Sequence, residues 1–238
     1  MKKVIVTGGS RGIGAAIVRK FAENGDRVAF IYRNSDDAAK KLEEETGAFF
    51  IKADVSYPES AENAILQSIE CLGGVDVLVN CAGISQIKLF TDITDGDWKK
   101  MLDTNLSGAF YASRSVASEM IKNHYGRIIN IGSMWGKVGA SCEVHYSAAK
   151  AGLRGFTMSL AKELGPSGIT VNCIEPGVID TDMNSELDET VKKELIDSTP
   201  ICRIGTPEDV ANAVFFIASD EAAFITAQCI GVDGGFVS

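Results

Sequence analysis

The chain has 238 residues, 45% of them hydrophobic and 23% charged, which is typical of a globular protein that buries a full core. Its formal net charge is -9 and no local cluster of Lys and Arg offsets it, so we expect no nucleic-acid partner. No apolar run reaches membrane-spanning length, and the first predicted strand leaves no room for a signal peptide. The sequence therefore predicts a single cytoplasmic domain over residues 1–238, with no membrane partner.

Short runs rich in Val and Ile alternate with longer segments of helical period along the whole chain. The predicted strands cover residues 4–6, 28–32, 48–51, 75–79, 127–131, 169–174 and 229–232. The predicted helices cover residues 13–24, 36–46, 59–72, 97–123, 146–164, 189–197 and 207–218. This alternation is typical of βαβ units, so we expect a Rossmann-type, doubly wound α/β fold with a seven-stranded parallel sheet.

A glycine-rich loop, Thr7-Gly-Gly-Ser-Arg-Gly-Ile-Gly14, follows the first predicted strand and opens the first helix. Gly8 permits a tight turn, Gly12 lets the backbone approach a pyrophosphate, and Gly14 lets helix and strand pack closely. A glycine pattern alone often marks only a turn, but the strand before it and the helix after it favour a dinucleotide site. We expect this site to be formed by Gly8, Ser10, Arg11, Gly12, Ile13 and Gly14.

The end of the second predicted strand bears on which dinucleotide is bound. It reads Tyr32-Arg33-Asn34, without the acidic residue that would accept hydrogen bonds from a free ribose 2′-hydroxyl. Arg33 and Arg11 could together clamp a 2′-phosphate, which favours NADP(H), although both guanidinium groups could also be simply solvated. After the third strand, Asp54 beside Val55 could accept from the adenine amino group or merely cap its loop.

The chemistry-bearing residues follow later strands. Asn80-Cys-Ala-Gly83 closes the fourth strand and Ser133 follows the fifth, and both positions lie at carboxyl ends, where the ligand crevice of such sheets opens. Tyr146 and Lys150 share one helical face. A nearby ammonium lowers the pKa of a phenol from about 10, which would suit Tyr146 to acid/base work. Alone, however, a Tyr-x-x-x-Lys pattern could be an ordinary helix face.

In chain order, the glycine loop, Asn80-Cys-Ala-Gly83, Asn105, Ser133, Tyr146-x-x-x-Lys150 and Pro176-Gly177 together resemble the short-chain dehydrogenase/reductase family over essentially the whole chain. The usual Asn-Asn-Ala-Gly reads Asn-Cys-Ala-Gly here. The resemblance implies four catalytic residues: Ser133 and Tyr146 hold the substrate carbonyl oxygen, Lys150 binds the nicotinamide ribose and tunes Tyr146, and Asn105 holds a water in a proton relay. It also implies that the cofactor contacts Asn80, Ala82, Gly83, Tyr146, Lys150, Pro176, Gly177, Ile179 and Thr181.

Within that family, residues 173–183 and 218–226 resemble those of bacterial 3-oxoacyl-acyl-carrier-protein reductases. The resemblance implies an NADPH-dependent carbonyl reductase that takes a small-molecule or carrier-linked ketone. The arginines that dock the acidic carrier are replaced by His124 and Ser167, although Lys122, Arg127 and Lys162 could substitute for them.

Other substrates and another functional class stay open. The chain also resembles reductases of the 5-aminopentanone adduct on translation elongation factor P, and a small ketone or hydroxysteroid is a third candidate. The alternative from a different functional class is a protein that binds a dinucleotide and senses redox state without turnover. The complete set of catalytic residues argues against this alternative.

Six scattered cysteines contain no Cys-x-x-Cys pair, so we expect free, mostly buried thiols and no metal site. His124 and His145 are expected at the surface or at a helix start. The family resemblance implies a homotetramer that pairs through its long helices. The helix predicted over residues 146–164 carries small residues that could allow this close approach or could pack against the sheet. They are Ala148, Ala149, Ala151, Gly152 and Gly155.

Overall fold

The computed structural model describes residues 1–181 and 188–237. Within these ranges, seven strands form one parallel sheet in the order β3-β2-β1-β4-β5-β6-β7. The strands are β1 (Lys3–Thr7), β2 (Arg27–Tyr32), β3 (Phe49–Lys52), β4 (Val77–Asn80), β5 (Gly126–Ile131), β6 (Ile169–Pro176) and β7 (Cys229–Val232). The strand order reverses between β1 and β4, and a ligand crevice is expected outside the carboxyl ends at such a switch point. The predicted doubly wound fold is confirmed.

The helices cover both faces of this sheet. They are α1 (Gly12–Glu23), α2 (Asp36–Thr46), α3 (Pro58–Leu72), α4 (Asp95–Leu102), α5 (Gly108–Asn123), α6 (Trp135–Val138), α7 (Val144–Leu164), α8 (Glu189–Ser198) and α9 (Pro207–Ile217). Local sequence sets several ends: Thr94 and Thr206 each open a helix with a capping box. Among the described residues, no helix combines the length and the apolar character needed to cross a bilayer.

The sheet separates two hydrophobic layers. Val6 and Phe30 point to the layer covered by α1 and α9, which contains Phe21. Ile5 and Ile128 point to the opposite layer, covered by α3 and α5. Burial of each such side chain contributes about 1.5–3 kcal/mol, and because both strand faces are covered, the central strands read as continuous apolar runs.

The single helix predicted over residues 97–123 is wrong in one respect. Helices α4 and α5 are joined by a π-helical turn, Asp103–Ser107. One wide turn shifts the helical period too little to be visible among apolar residues, so the sequence pattern could not reveal it. The turn matters because it contains Asn105. The short helix α6 was also not predicted.

The prediction of mostly buried thiols is wrong, although the six cysteines are free. Only Cys173 is buried, whereas Cys71 and Cys202 are exposed and the other three are intermediate. Cys173 lies with Glu175 and Cys229 in a group whose possible ligand atoms are all within 4.8 Å of one another. The Glu175 carboxylate is, however, engaged by the guanidinium of Arg154. This group is therefore an ion pair beside two thiols rather than an open cation site.

The two histidines occupy helix ends. His124 caps the end of α5 with a left-handed backbone (φ 48°) and is exposed. His145 lies in the first turn of α7, as expected, but it is completely buried, and its Nε2 atom is 3.0 Å from the Oε1 atom of Gln86. This contact ties the start of α7 to the loop that follows β4.

Candidate active site

A cleft of about 550 Å³ opens at the carboxyl edge of the sheet, where β1, β2, β4, β5 and β6 end. It is lined by every predicted catalytic and cofactor-binding residue except Asn80. The two ends of the predicted site therefore belong to one continuous cleft. Its glycine-loop end and its Tyr146 end differ in chemistry and are described in turn.

The glycine loop is packed too closely for side chains. Gly8 has a left-handed backbone (φ 69°), and a Cβ atom there would lie 2.7 Å from the Cα atom of Ala82. A Cβ atom on Gly14 would lie 2.1 Å from the carbonyl oxygen of Gly8. Helix α1 starts here with no side-chain cap and no acidic residue in its first turn. Its first amides and its dipole therefore suit an anionic phosphate, so the loop fits a dinucleotide.

The other wall at this end is formed after β2. Arg33 lines the cleft, its side chain is 39% exposed, and its Nη1 atom lies 3.4 Å from Oδ2 of Asp54. Asp54 also accepts hydrogen bonds from the backbone and hydroxyl of Ser56, and these bonds and Arg33 lower its pKa against the opposing effect of burial. Asp36, the first acidic residue after β2, is bonded instead to Tyr32 and Lys52. A basic group therefore faces this part of the cleft.

The Asn80 side chain lies in a buried hydrogen-bond network and does not line the cleft, and its contact with the cofactor stays a prediction. Its Nδ2 atom donates to Oγ of Ser113 at 3.1 Å and to Oδ1 of Asn130 at 2.8 Å. Asn130 donates in turn to Thr157 at 2.8 Å. The network joins β4 and β5 to α5 and α7. Asn80 reaches this network because side chains alternate along a strand, which points Asn80 to the sheet face covered by α5 and α7.

Asn105 connects the π-helical turn to the loop after β4. Its side-chain amide donates to the carbonyl oxygen of Ile84 at 3.0 Å, and its Oδ1 atom accepts from the amide of Ile84 at 3.2 Å. A Cβ atom on Gly83 would lie 2.7 Å from that Oδ1 atom. The wide turn thus brings a buried amide group to the cleft wall. Its role in a proton relay stays a prediction.

Ser133, Tyr146 and Lys150 meet at the other end of the cleft. The Ser133 hydroxyl lies near enough to the Tyr146 phenol to lower its pKa, and Ser133 also accepts from the amide of Trp135 at 3.2 Å. The Lys150 ammonium donates to the carbonyl oxygen of Ile131 at 2.8 Å and lies 5.6 Å from the centre of the Tyr146 ring. The structure therefore assembles the three side chains that the sequence placed on β5 and α7.

The ionisation of Tyr146 depends chiefly on its burial, and a lowering of its pKa by Lys150 stays a prediction. Burial raises the pKa of Tyr146 to about 12, while the Ser133 hydrogen bond acts in the opposite direction. Burial also lowers the pKa of Lys150, whose amine is directed to Ile131. At neutral pH the phenol is therefore protonated, which is the form that can donate a proton to a carbonyl oxygen.

Sequence reasoning missed Glu143, which lines the cleft three residues before Tyr146. It is half-buried, and burial raises the pKa of its carboxyl group. Its negative charge in turn raises the pKa of Tyr146. Glu143 is the N-cap residue of α7, just outside the helix that carries Tyr146, so helical spacing gave no signal for it.

Comparisons with known proteins agree with this geometry. Residues 8–237 match the family model described as enoyl-(acyl carrier protein) reductase. The chain is 42% identical to a 3-oxoacyl-[acyl-carrier-protein] reductase of Chlamydia pneumoniae, an alignment that covers 98% of this chain and 96% of the relative. It is 45% identical to an acetoacetyl-CoA reductase of Shinella zoogloeoides, with 97% and 96% covered.

Among solved structures, a double mutant of a Serratia marcescens short-chain dehydrogenase/reductase matches with a TM-score of 0.94 and 36% identity. The match covers 100% of this chain and 98% of that one. Sequence, fold and the arrangement of the cleft thus agree over nearly the full length. The chain belongs to the short-chain dehydrogenase/reductase family, whose members are oxidoreductases acting on a CH–OH/C=O pair.

Proposed function

We propose that the protein is an NADPH-dependent carbonyl reductase that converts a ketone of the 3-oxoacyl type to the 3-hydroxy product. The observation that carries this proposal is the meeting of Ser133, Tyr146 and Lys150 in a cleft that continues to the glycine loop. The names of relatives support the substrate type, since they include reductases of 3-oxoacyl-[acyl-carrier-protein] and of acetoacetyl-CoA.

The roles of the side chains follow from their contacts. Bound NADPH supplies the hydride that the carbonyl carbon receives. Tyr146 donates its proton to the carbonyl oxygen, and Ser133, which lines the cleft beside the phenol, holds that oxygen in place. General-acid catalysis of this kind contributes about a hundredfold to ten-thousandfold. Lys150 and Asn105 line the same cleft, which supports the ribose contact and the water relay that the family resemblance implies for them.

The preference for NADPH over NADH is supported by the wall after β2. Arg33 and Arg11 line the cleft there. The other cleft-lining residues between β2 and α2 carry no negative charge, namely Tyr32, Asn34 and Ser35. A guanidinium group matches the geometry of a phosphate, whereas a free 2′-hydroxyl would be served by a carboxylate. The Nη1 atom of Arg33 lies 3.4 Å from Oδ2 of Asp54, and a bound phosphate can replace this long contact.

The structure does not favour strong docking of an acidic carrier at a protomer's own cleft. Helices α5 and α7 end just before β5 and β6 begin, so Lys122 and Lys162 lie at the amino edge of the sheet. The cleft is at the carboxyl edge, and the 21 residues of α7 span about 30 Å between the two. These exposed lysines could therefore serve only a neighbouring subunit.

Arg127, the third expected substitute for a docking arginine, is not available to a carrier. Its side chain is buried, stacks on the Tyr125 ring at 4.5 Å and reaches Asp220 at 3.4 Å. The prediction that Arg127 could dock an acidic carrier is wrong. A 3-oxoacyl group carried by coenzyme A is therefore a better test substrate than the carrier-linked form.

We propose a homo-oligomer that pairs through α5 and α7, and the family resemblance implies a tetramer. Of the small residues in α7, Ala149 is buried and Gly152 faces Leu106, so these two pack inward. Ala151 and Gly155 are exposed, and no atom lies within 4 Å of a Cβ atom built on Gly155. Exposed apolar side chains on the same helices, Phe110 and Met158, favour a covered face.

The direct test of the proposed function is NADPH oxidation in the presence of acetoacetyl-CoA. We expect steady turnover with formation of the 3-hydroxy thioester. Tight NADPH binding without oxidation by acetoacetyl-CoA or by other model ketones would instead support the sensor without turnover.

A second candidate function is the reduction of an amine-bearing ketone such as the aminopentanone adduct on elongation factor P. The position of Glu143 in the cleft favours it.

A further inference from the structure

Glu143 is held rigidly at the start of α7. Its carbonyl oxygen accepts from the amide of Ser147 at 2.8 Å, and its own amide donates to the carbonyl oxygen of Ala140 at 3.3 Å. The adjacent carbonyl of Cys142 accepts from the amide of Lys88 at 2.7 Å, which ties this segment to the loop after β4. The Glu143 side chain therefore starts from a fixed backbone, as a specificity group requires.

The carboxylate of Glu143 is an unusual group for this wall. It is half-buried, and among the residues that the structure describes, no Lys or Arg side chain forms an ion pair with it. The lysines on adjoining segments are engaged elsewhere: Lys88 with Asp97 at 2.6 Å, and Lys150 with the carbonyl oxygen of Ile131. Partial burial of an uncompensated charge costs free energy, and such groups cluster at functional sites.

The part of the cleft formed by the loop after β4 and the start of α6 includes apolar side chains. Ile84, Ile87, Met134 and Trp135 line it together with Glu143 and Tyr146. A substrate placed with its carbonyl oxygen on Ser133 and Tyr146 would thus extend over apolar side chains and meet one carboxylate. The matching ligand has an aliphatic chain and a positively charged nitrogen.

We infer that Glu143 is a specificity-determining residue that selects ketones bearing a cationic amine over neutral or anionic ketones of the same length. This inference rests on the proposed carbonyl reductase function, and within it favours the second candidate substrate, an amine-bearing ketone, over a 3-oxoacyl thioester. The amine donates a charge-assisted hydrogen bond to the Glu143 carboxylate while Tyr146 donates to the ketone oxygen. A hydrogen bond to a charged group of this kind favours the cationic ketone by about tenfold or more in kcat/KM.

The test compares three methyl ketones that differ only in the terminal group of a propyl chain. One ends in dimethylammonium, one in the isosteric isopropyl group and one in a carboxylate. Steady-state NADPH oxidation gives kcat/KM for each. We expect the cationic ketone to be preferred by at least about tenfold over the neutral one, and the anionic ketone to be the poorest. Equal values for the cationic and neutral ketones in the wild-type enzyme would overturn the inference.

Variants assign the preference to the residue. In Glu143→Gln the ratio of cationic to neutral kcat/KM should fall towards one, and in Glu143→Lys the anionic ketone should become the best of the three. Glu163→Gln, which removes an exposed carboxylate at the far end of the same helix, should keep the wild-type ratio. Because a changed Tyr146 would affect all three ketones alike, the ratio isolates substrate selection.

The outcomes separate this inference from the proposed function. If none of the ketones is reduced although NADPH binds, the reductase proposal itself fails. If all are reduced but the cationic preference persists in Glu143→Gln, then Glu143 is not the selecting residue and the inference is wrong. If a variant does not fold, the wild-type comparison alone still decides whether a cation is preferred.

Discussion

Replacement of Arg33 by Ala should weaken NADPH binding far more than NADH binding, because only NADPH has the 2′-phosphate that the guanidinium would pair. A hydrogen bond to a charged group is worth about 1.5–3 kcal/mol, and the lower end applies because the Arg33 side chain is 39% exposed and screened by solvent. The substitution also leaves Asp54 without its partner at 3.4 Å, which adds repulsion towards a phosphate. We therefore expect NADPH affinity to fall about tenfold to thirtyfold, with NADH changed by less than about threefold.

Titration calorimetry with each cofactor measures this difference directly, without depending on a substrate. Arg33→Lys is the matched control: it keeps the charge but loses the planar fork, so it should give an intermediate loss of NADPH affinity. Equal weakening of NADPH and NADH in Arg33→Ala, or a wild-type preference for NADH, would refute the assignment of Arg33 to the 2′-phosphate.

Three further expectations follow from the structure. Removing the negative charge in Glu143→Gln should lower the pKa of Tyr146. Because kcat/KM is lost at alkaline pH when the phenol deprotonates, this loss should move to lower pH in a pH–rate profile. An unchanged profile would contradict the electrostatic coupling of Glu143 to Tyr146. Light scattering at micromolar concentration should show a homo-oligomer, and a monomer would refute pairing through α5 and α7. The advantage of a carrier-linked over a coenzyme-A-linked 3-oxo substrate should be modest; a large advantage that collapses with added salt would show that Lys122 and Lys162 do form a docking patch across subunits.

The fold and most of the cleft could be predicted from sequence because they depend on local patterns. Val- and Ile-rich runs between helical segments specify a parallel sheet, and its topology sends every strand's carboxyl end to one edge. Residues that follow those ends, such as Ser133 and Gly83, must therefore lie near one another. The four-residue spacing of Tyr146 and Lys150 then fixes their common face.

The errors arose where a side chain's direction or environment depends on tertiary packing. Asn80 ends a strand, and alternation turns its side chain towards α5 and α7, a bracing contact that the sequence pattern did not reveal. The π-helical turn that presents Asn105 leaves no mark in the helical period. Burial has the largest effect on the pKa of Tyr146, and it cannot be read from the spacing of Tyr146 and Lys150. Arg127 looked like a surface cation but is buried against Tyr125.

The central claim, that Tyr146 donates the proton to a ketone oxygen in this cleft, is tested most directly by Tyr146→Phe. The substitution keeps the ring and removes only the hydroxyl group that faces Ser133. Turnover of acetoacetyl-CoA with NADPH should fall by at least about a hundredfold, while calorimetry shows NADPH binding close to that of the wild type. Near-normal turnover in Tyr146→Phe would contradict the proposed mechanism.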